Sequence, residues 1–325
     1  MMMSVTEVVI RDQFPYWQAA LALEVPRLRA GTVVMTGCGT SYNLAQSLAC
    51  AMNAAGQRAI AVPGAEWARR PECYQADTRD ILVVGLSRSG TTTETVQAVA
   101  ASRKRGWPTF ALSCVPDVAI LQAAERGIYL PTDAREGIVM SVSASLMLLV
   151  GLRLAGIALP EAVVSAGQAG LAQVAAAGPL LTGPLLTGRA HFVYLGAGAN
   201  YGVATEGCLK LQEMSLSYSQ SFHPMEYRHG PISLIDEKSL VVMLYSEGTA
   251  AEEARVVADV RAKGAKVIGF GGPGDLRIDL GATGPEFGLA CLPALQMLGE
   301  MVARLKGIDS EAPRHLTKVV VLDHG

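Results

Sequence analysis

One strand-and-glycine device occurs twice in this chain at a single fixed offset. Residues 31–43 read Gly-Thr-Val-Val-Met-Thr-Gly-Cys-Gly-Thr-Ser-Tyr-Asn, and residues 190–200 read Ala-His-Phe-Val-Tyr-Leu-Gly-Ala-Gly-Ala-Asn. Gly37 and Gly39 answer to Gly196 and Gly198, an offset of 159 (196 − 37). Further on, the apolar run 81–86 ends at Ser87-Arg88-Ser89-Gly90-Thr91-Thr92. The run 240–245 ends at Ser246-Glu247-Gly248-Thr249, with Ser246 again 159 residues after Ser87. An offset held over about fifty residues marks a duplicated unit. Both copies place small residues where a strand ends and a helix begins, the place where α/β sheets bind ligands.

The rest of the pattern fits two α/β domains. Strand-like runs at 33–35, 59–62, 81–86 and 109–112 alternate with Ala/Leu-rich helical runs, which implies βαβ units and a doubly wound parallel sheet flanked by helices. Residues 1–29 form an N-terminal helical segment broken by Pro15 and Pro26, and 30–157 the first domain. Residues 158–189, rich in Ala and Gly with Pro160, Pro179 and Pro184, are expected as a linker helix. Residues 190–325 form the second domain, with strands at 192–195, 240–245 and 266–270, a long helix at 288–305 and a tail ending in 319–322.

Composition narrows the function classes. The 325 residues are 50% hydrophobic and 17% charged, which excludes a disordered chain. A net charge of −2 without a Lys/Arg block argues against a nucleic-acid partner. Residues 138–159 are the most membrane-like stretch, but they carry Ser141, Ser143, Ser145 and Arg153, so a buried helix is expected and no membrane partner. The N-terminus has no basic-then-apolar leader. Six cysteines without a Cys-x-x-Cys pair read as small core residues of a reduced cytoplasmic protein, with no metal site.

The glycine loops separate two ligand types. A dinucleotide fingerprint needs a third Gly where this chain has Tyr42, and the run 59–62 ends in Pro63 rather than an acid. Instead, five hydroxyls fall within residues 87–93. Ser and Thr at a helix start can simply cap it. So many together, beside unpaired helix amides, suit a phosphate. No Gly-Lys-Ser/Thr follows, which sets aside a nucleotide P-loop. The second copy reads Ser246-Glu247-Gly248-Thr249-Ala250-Ala251-Glu252-Glu253, whose three carboxylates would repel an anion.

An acid–base set follows the second glycine loop. Glu206, Lys210 and Glu213 stand at i, i+4 and i+7, on one helical face. A solvated salt-bridged stripe and a charged wall of a polar cleft both fit that spacing. The apolar Cys208, Leu209, Leu211 and Met214 between them favour the cleft. His229, held in Arg228-His229-Gly230-Pro231, is either structural or functional on pattern alone. His191, His223 and His324 have weaker claims.

Taken together, Gly37-x-Gly39-Thr40-Ser41, Ser87-x-Ser89-Gly90, Glu206-x-x-x-Lys210-x-x-Glu213, His229-Gly230-Pro231 and Lys306-Gly307-x-Asp309…Pro313-Arg314-x-Leu316-x-Lys318 resemble the double sugar-isomerase (SIS) family. The layout is similar to the isomerase half of glucosamine-6-phosphate synthase and to stand-alone amino-sugar-phosphate deaminases and isomerases. The resemblance implies two tandem SIS domains and no cofactor. It implies a phosphate grip by Thr40, Ser41, Ser87, Arg88, Ser89 and Thr92, with Gly39 and Ser141 touching substrate. Glu213 would move a proton between C1 and C2, Lys318 would reach the sugar from the C-terminal tail, and Glu206 and Lys210 would order the pocket. His229 would open the sugar ring from the neighbouring subunit, which makes a homodimer with composite sites.

Physically the roles fit. A His protonates a ring oxygen near neutral pH, and one desolvated carboxylate can take a proton from one carbon and return it to the next. A lysine offsets the negative charge of the intermediate. Two departures from the synthase pattern matter. Its Val-Ala-Ser-Thr-Lys loop is Val139-Met140-Ser141-Val142-Ser143 here, without the Lys. The chain also begins about thirty residues before its first glycine loop, so no glutaminase domain is expected. The resemblance therefore implies a hexosamine 6-phosphate isomerase/deaminase giving ketose 6-phosphate and ammonia. A fructosamine 6-phosphate deglycase and a non-catalytic phosphosugar sensor are the alternatives.

Overall fold

The computed structural model describes residues 3–74 and 79–319. The chain groups into two compact units. One is Pro15–Leu159 with the segment from Leu316 onward, and the other is the residues up to Phe14 with Pro160–His315. The helical expectation for residues 1–29 resolves into α1 (Val5–Arg11) and α2 (Phe14–Ala22); the chain beyond, through Pro26, is irregular. Ser4 starts α1 by accepting the Glu7 amide on its hydroxyl.

In the first repeat β1 (Thr32–Gly37), α3 (Thr40–Ala54), β2 (Ala59–Pro63), α4 (Gly64–Arg69), β3 (Ile81–Ser87), α5 (Thr93–Lys104), β4 (Thr109–Ser113), α6 (Ala119–Ala123), β5 (Arg126–Tyr129) and α7 (Val142–Leu154) alternate. The strands pair in parallel in the order β2-β1-β3-β4-β5. Every residue of β1, β3 and β4 is buried, because helices cover both faces of the sheet. That double burial is why the strands show as unbroken apolar runs.

The second repeat is α8 (Ala162–Ala176), α9 (Gly178–Leu180), β6 (His191–Gly196), α10 (Ala199–Ser215), β7 (Ser219–Phe222), α11 (Pro224–Tyr227), β8 (Ser239–Leu244), α12 (Ala250–Ala262), β9 (Lys266–Phe270), β10 (Leu276–Ile278) and α13 (Pro285–Leu305). Its parallel order, β7-β6-β8-β9-β10, repeats the first sheet strand for strand. The 159-residue offset holds at both ends of β1 and β6 and at the first residues of α3 and α10. The α/β class with two doubly wound parallel sheets is therefore borne out.

Three strands escape the sequence pattern. β5 and β10 are short edges carrying Arg126 and Arg277, and β7 reads Ser-Gln-Ser-Phe. The tail expected at 319–322 and His324 lie almost wholly outside the described residues; only Val319 is within them.

Packing explains the long apolar helices. All of α7 is buried except Arg153, whose guanidinium donates to the Ala20 carbonyl at 2.7 Å. A Cβ on Gly151 would stand 2.4 Å from Leu48 of α3, so the close approach of these helices needs glycine. Helix α13 is buried from Phe287 to Ala303 and packs on α8 and α10. Among the described residues no helix is long and apolar enough to cross a membrane. Of the six cysteines Cys114, Cys208 and Cys291 are buried, but Cys73 is exposed, which corrects the expectation that all are core residues.

The paired glycine loops are built identically. Gly39 sits at φ 55°, ψ −126° and Gly198 at φ 57°, ψ −131°, each immediately before a helix. An L side chain pays about 1–3 kcal/mol there. A Cβ at Gly39 meets open space, so this cost is purely conformational. Gly37 is different: its Cβ would lie 2.7 Å from Ser41 Cβ. We expect Gly39→Ala to lower stability by about 1–3 kcal/mol in denaturant titration, with the fold retained.

Candidate active site

In a sheet ordered 2-1-3-4-5 the connections run opposite ways on either side of the β1/β3 pair, leaving a crevice at their carboxyl ends. β1 and β3 are hydrogen-bonded neighbours. The loops Gly37–Thr40 and Ser87–Thr92 therefore emerge side by side at that crevice. Thr40, Ser41 and Ser87 are buried, while Ser89 and Thr92 are partly exposed.

The hydroxyls brace one another. Ser87 Oγ accepts the Gly90 amide at 3.1 Å and donates to Thr92 Oγ1 at 3.5 Å. Ser89 Oγ accepts from the amide and the hydroxyl of Thr91, both at 3.3 Å. Thr92 and Gly39 are the cap positions of α5 and α3, and neither provides a side-chain cap. Simple capping thus does not account for Thr92. We expect Ser87→Ala with Ser89→Ala to raise KM for a phosphorylated sugar far more than it lowers kcat, since a phosphate is held alike in ground and transition states. Each lost charge-assisted bond should cost about 1.5–3 kcal/mol, and the check is steady-state kinetics beside direct binding of the sugar phosphate.

Arg88 points elsewhere. Its Nη1 donates to the Gly137 carbonyl at 3.0 Å and the Ile138 carbonyl at 2.9 Å, and its Nη2 to the Lys318 carbonyl at 2.9 Å. Lys318 Nζ in turn donates to the Glu136 carbonyl at 2.7 Å. Glu136, which sequence reasoning missed, is buried. Its Oε1 accepts the Ser141 amide at 2.7 Å, the Ser141 hydroxyl at 3.1 Å and the Ser143 amide at 3.0 Å. A carboxylate thus fills the positive start of α7. The only sequence signal was an acid five residues before Ser141, too weak to single out.

The matching loop of the second repeat is occupied from within. Glu253 is buried; its Oε2 accepts the Ser246 amide at 2.7 Å and its Oε1 the Thr249 hydroxyl at 3.0 Å. Burial raises its carboxyl above the usual range, partly countered by those bonds. One of the three carboxylates foreseen there does more than repel an anion: it takes the loop donors itself.

Helix α10 carries the acid–base set. Glu206 and Lys210 are buried, and the Glu213 side chain keeps 21% exposure. Lys210 Nζ lies 3.4 Å from Glu206 Oε1 and donates to Glu213 Oε2. Burial alone would push the ammonium down, but Glu206 and then Glu213 outweigh it and hold it above the usual lysine value. A solvated stripe is excluded by the burial of Glu206 and Lys210.

His229 is exposed, just beyond α11, with its amide on the Glu226 carbonyl at 3.0 Å. His191 is spent on Ser239 Oγ at 3.0 Å, and His223 stacks on Tyr201 at 4.0 Å between ring centroids. Among the described residues no group of three or more His, Cys, Asp or Glu stands ready for a metal.

Two doubly wound parallel sheets, a hydroxyl loop at a switch point and a carboxylate–lysine–carboxylate array around a buried lysine agree with what the chain is similar to. Residues 28–155 and 185–275 match the SIS domain, and the chain belongs to the SIS domain family. It is 28% identical over 319 residues to the glutamine–fructose-6-phosphate aminotransferase (isomerizing) of Pyrobaculum aerophilum, covering 91% of this chain and 52% of that protein. The aminotransferase of the same name from Bacteroides thetaiotaomicron is 36% identical over 144 residues, 41% of this chain and 23% of that one. The chain thus spans about half the length, or less, of the curated relatives it matches. Among solved structures, glucosamine-6-phosphate deaminase from Thermotoga maritima superposes with a TM-score of 0.86 at 28% identity, covering 98% of this chain and 100% of that one.

Proposed function

We propose that this chain is a sugar-phosphate isomerase that deaminates a hexosamine 6-phosphate, consuming water and releasing ketose 6-phosphate and ammonia. The observation that carries the reading is the α10 array, in which Glu206 and Lys210 are buried and Glu213 alone keeps access to solvent. A base fixed by a buried lysine is placed to shuttle one proton between adjacent carbons. Lys210 and Lys318 offset the charge of the enediolamine intermediate. Thr40, Ser41, Ser87, Ser89 and Thr92 hold the phosphate, with Gly39 and Ser141 beside the sugar. The Thermotoga maritima deaminase supports the choice of reaction, as a relative of matching length. Sugar phosphates and six free cysteines suit the reducing cytoplasm.

The test is a coupled assay for ammonia and ketose 6-phosphate across a panel of hexosamine and fructosamine 6-phosphates. Turnover of the hexosamines with ammonia release supports the proposal. Amine release from fructosamine 6-phosphates alone would make the chain a deglycase, and tight binding without turnover would make it a sensor.

The exposed His229 serves, in this proposal, the site of a second copy in a homodimer. We expect His229→Ala and Glu213→Gln each to be nearly inactive. Mixed after gentle dissociation, they should recover about a quarter of parental activity, because about half of the random dimers are mixed and each holds one intact site. Subunit exchange without recovery would place both residues in one chain's site.

A further inference from the structure

We infer that Arg88 is a positioning residue that ties the hydroxyl loop to the segment carrying Lys318, and is not a ligand of the bound anion. The inference rests on the proposed function only in taking Lys318 to act on substrate.

Arg88 sits inside the Ser87–Thr92 loop and is itself buried. Its own carbonyl is pinned to the end of β4, accepting the Cys114 amide at 3.0 Å and the Ser113 hydroxyl at 3.3 Å. Its guanidinium then reaches three carbonyls on two other segments, Gly137 and Ile138 on one and Lys318 on the other. Three of its five N–H donors are committed, both of those on Nη1 among them. An oxyanion therefore cannot be gripped end-on by Nη1 and Nη2 together.

The Lys318 segment is gripped at two points. Arg88 holds its carbonyl, and its own ammonium holds the Glu136 carbonyl at 2.7 Å. Glu136 anchors that connection in turn, since its carboxylate binds the first amides of α7. The contacts run without a break from the hydroxyl loop through Arg88 to residues 136–138 and Lys318. Only a planar fork bridges three carbonyls at fixed angles; a lysine has one point charge on a flexible stem.

The test compares Arg88→Met and Arg88→Lys with the parent full-length chain. Inorganic phosphate binding is measured by calorimetry, amide hydrogen exchange is followed over residues 314–319, and kcat and KM are taken with whichever sugar phosphate is turned over. Phosphate affinity should stay within about twofold, while exchange around Lys318 speeds up in both variants. kcat should fall by about tenfold or more with KM little changed, since misplacing a catalytic group costs rate rather than binding. Arg88→Met combined with Lys318→Ala should be no slower than Lys318→Ala alone, because both act through one group.

A loss of phosphate affinity of about tenfold or more, the effect of removing a charge-assisted bond, would make Arg88 an anion ligand and overturn the inference. Unchanged exchange around Lys318 would overturn it as well. These two readouts need no turnover, so they stand even where the assay panel defeats the proposed reaction. Should Arg88→Met fail to fold, Arg88→Gln keeps one amide donor and is read by the same two measurements.

Discussion

Glu213→Gln is expected to lower kcat by about 10²–10⁴ while the sugar phosphate still binds. The substitution keeps the shape of the side chain and a polar partner for Lys210, but an amide takes up no proton. Solvent deuterium should cease to enter at C1 and C2 of the sugar, and this exchange measurement reads the proton transfer directly, whichever step limits turnover. In the proposed reading the phosphate is held by the hydroxyl loop of the first repeat and not by Glu213, so KM should stay close to parental. Exchange continuing near the parental rate would move the base to another group. Glu206 is then the first to examine, although its burial leaves it poorly placed to meet a substrate.

What the sequence exposed and what it hid both have physical causes. The repeat was legible because two parallel sheets buried on both faces demand unbroken apolar strands, and because Gly39 and Gly198 hold a backbone conformation that other residues adopt at a cost. β7 was hidden because it lies at a sheet edge, where half-exposed Ser and Gln are tolerated. The offset alone reveals it, since Ala59 shifted by 159 residues gives Tyr218, beside Ser219 at the start of β7.

The candidate site divides in the same way. The spacing of Glu206, Lys210 and Glu213 fixed one helical face, but burial was needed to distinguish a cleft wall from a surface stripe. Glu136 and the reach of Arg88 to Lys318 could not be read at all. They depend on contacts between segments up to 230 residues apart, which no local pattern encodes. The repulsive charge of the second loop was legible, whereas the turning-in of Glu253 was not. In that loop the Glu253 carboxylate takes the Ser246 amide and the Thr249 hydroxyl, donors of the same kind that the first repeat leaves at its own loop.

Lys210→Met should be the most costly single change to stability in the second unit. Lys210 and Glu206 are both buried, and the substitution removes the buried cation that stands 3.4 Å from the Glu206 carboxylate. Breaking such a pair costs about 3–5 kcal/mol, whereas replacing both partners by apolar groups of similar volume is often near neutral. Chemical denaturation should therefore show a large loss for Lys210→Met and recovery of most of it in Lys210→Met with Glu206→Leu, with neither variant active. The pH dependence carries a second signature. In the parent the folded ammonium holds its proton more tightly than the unfolded chain does. Its contribution to stability is thus whole at neutral pH and is lost only as pH rises beyond about 10, through the folded value. In Lys210→Met the deficit should instead shrink as pH falls, because a protonated acid is cheaper to bury than a carboxylate. A deficit that is small and independent of pH would mean that Glu206 draws its compensation from elsewhere. The lysine would then be held in place for its chemistry rather than for the fold.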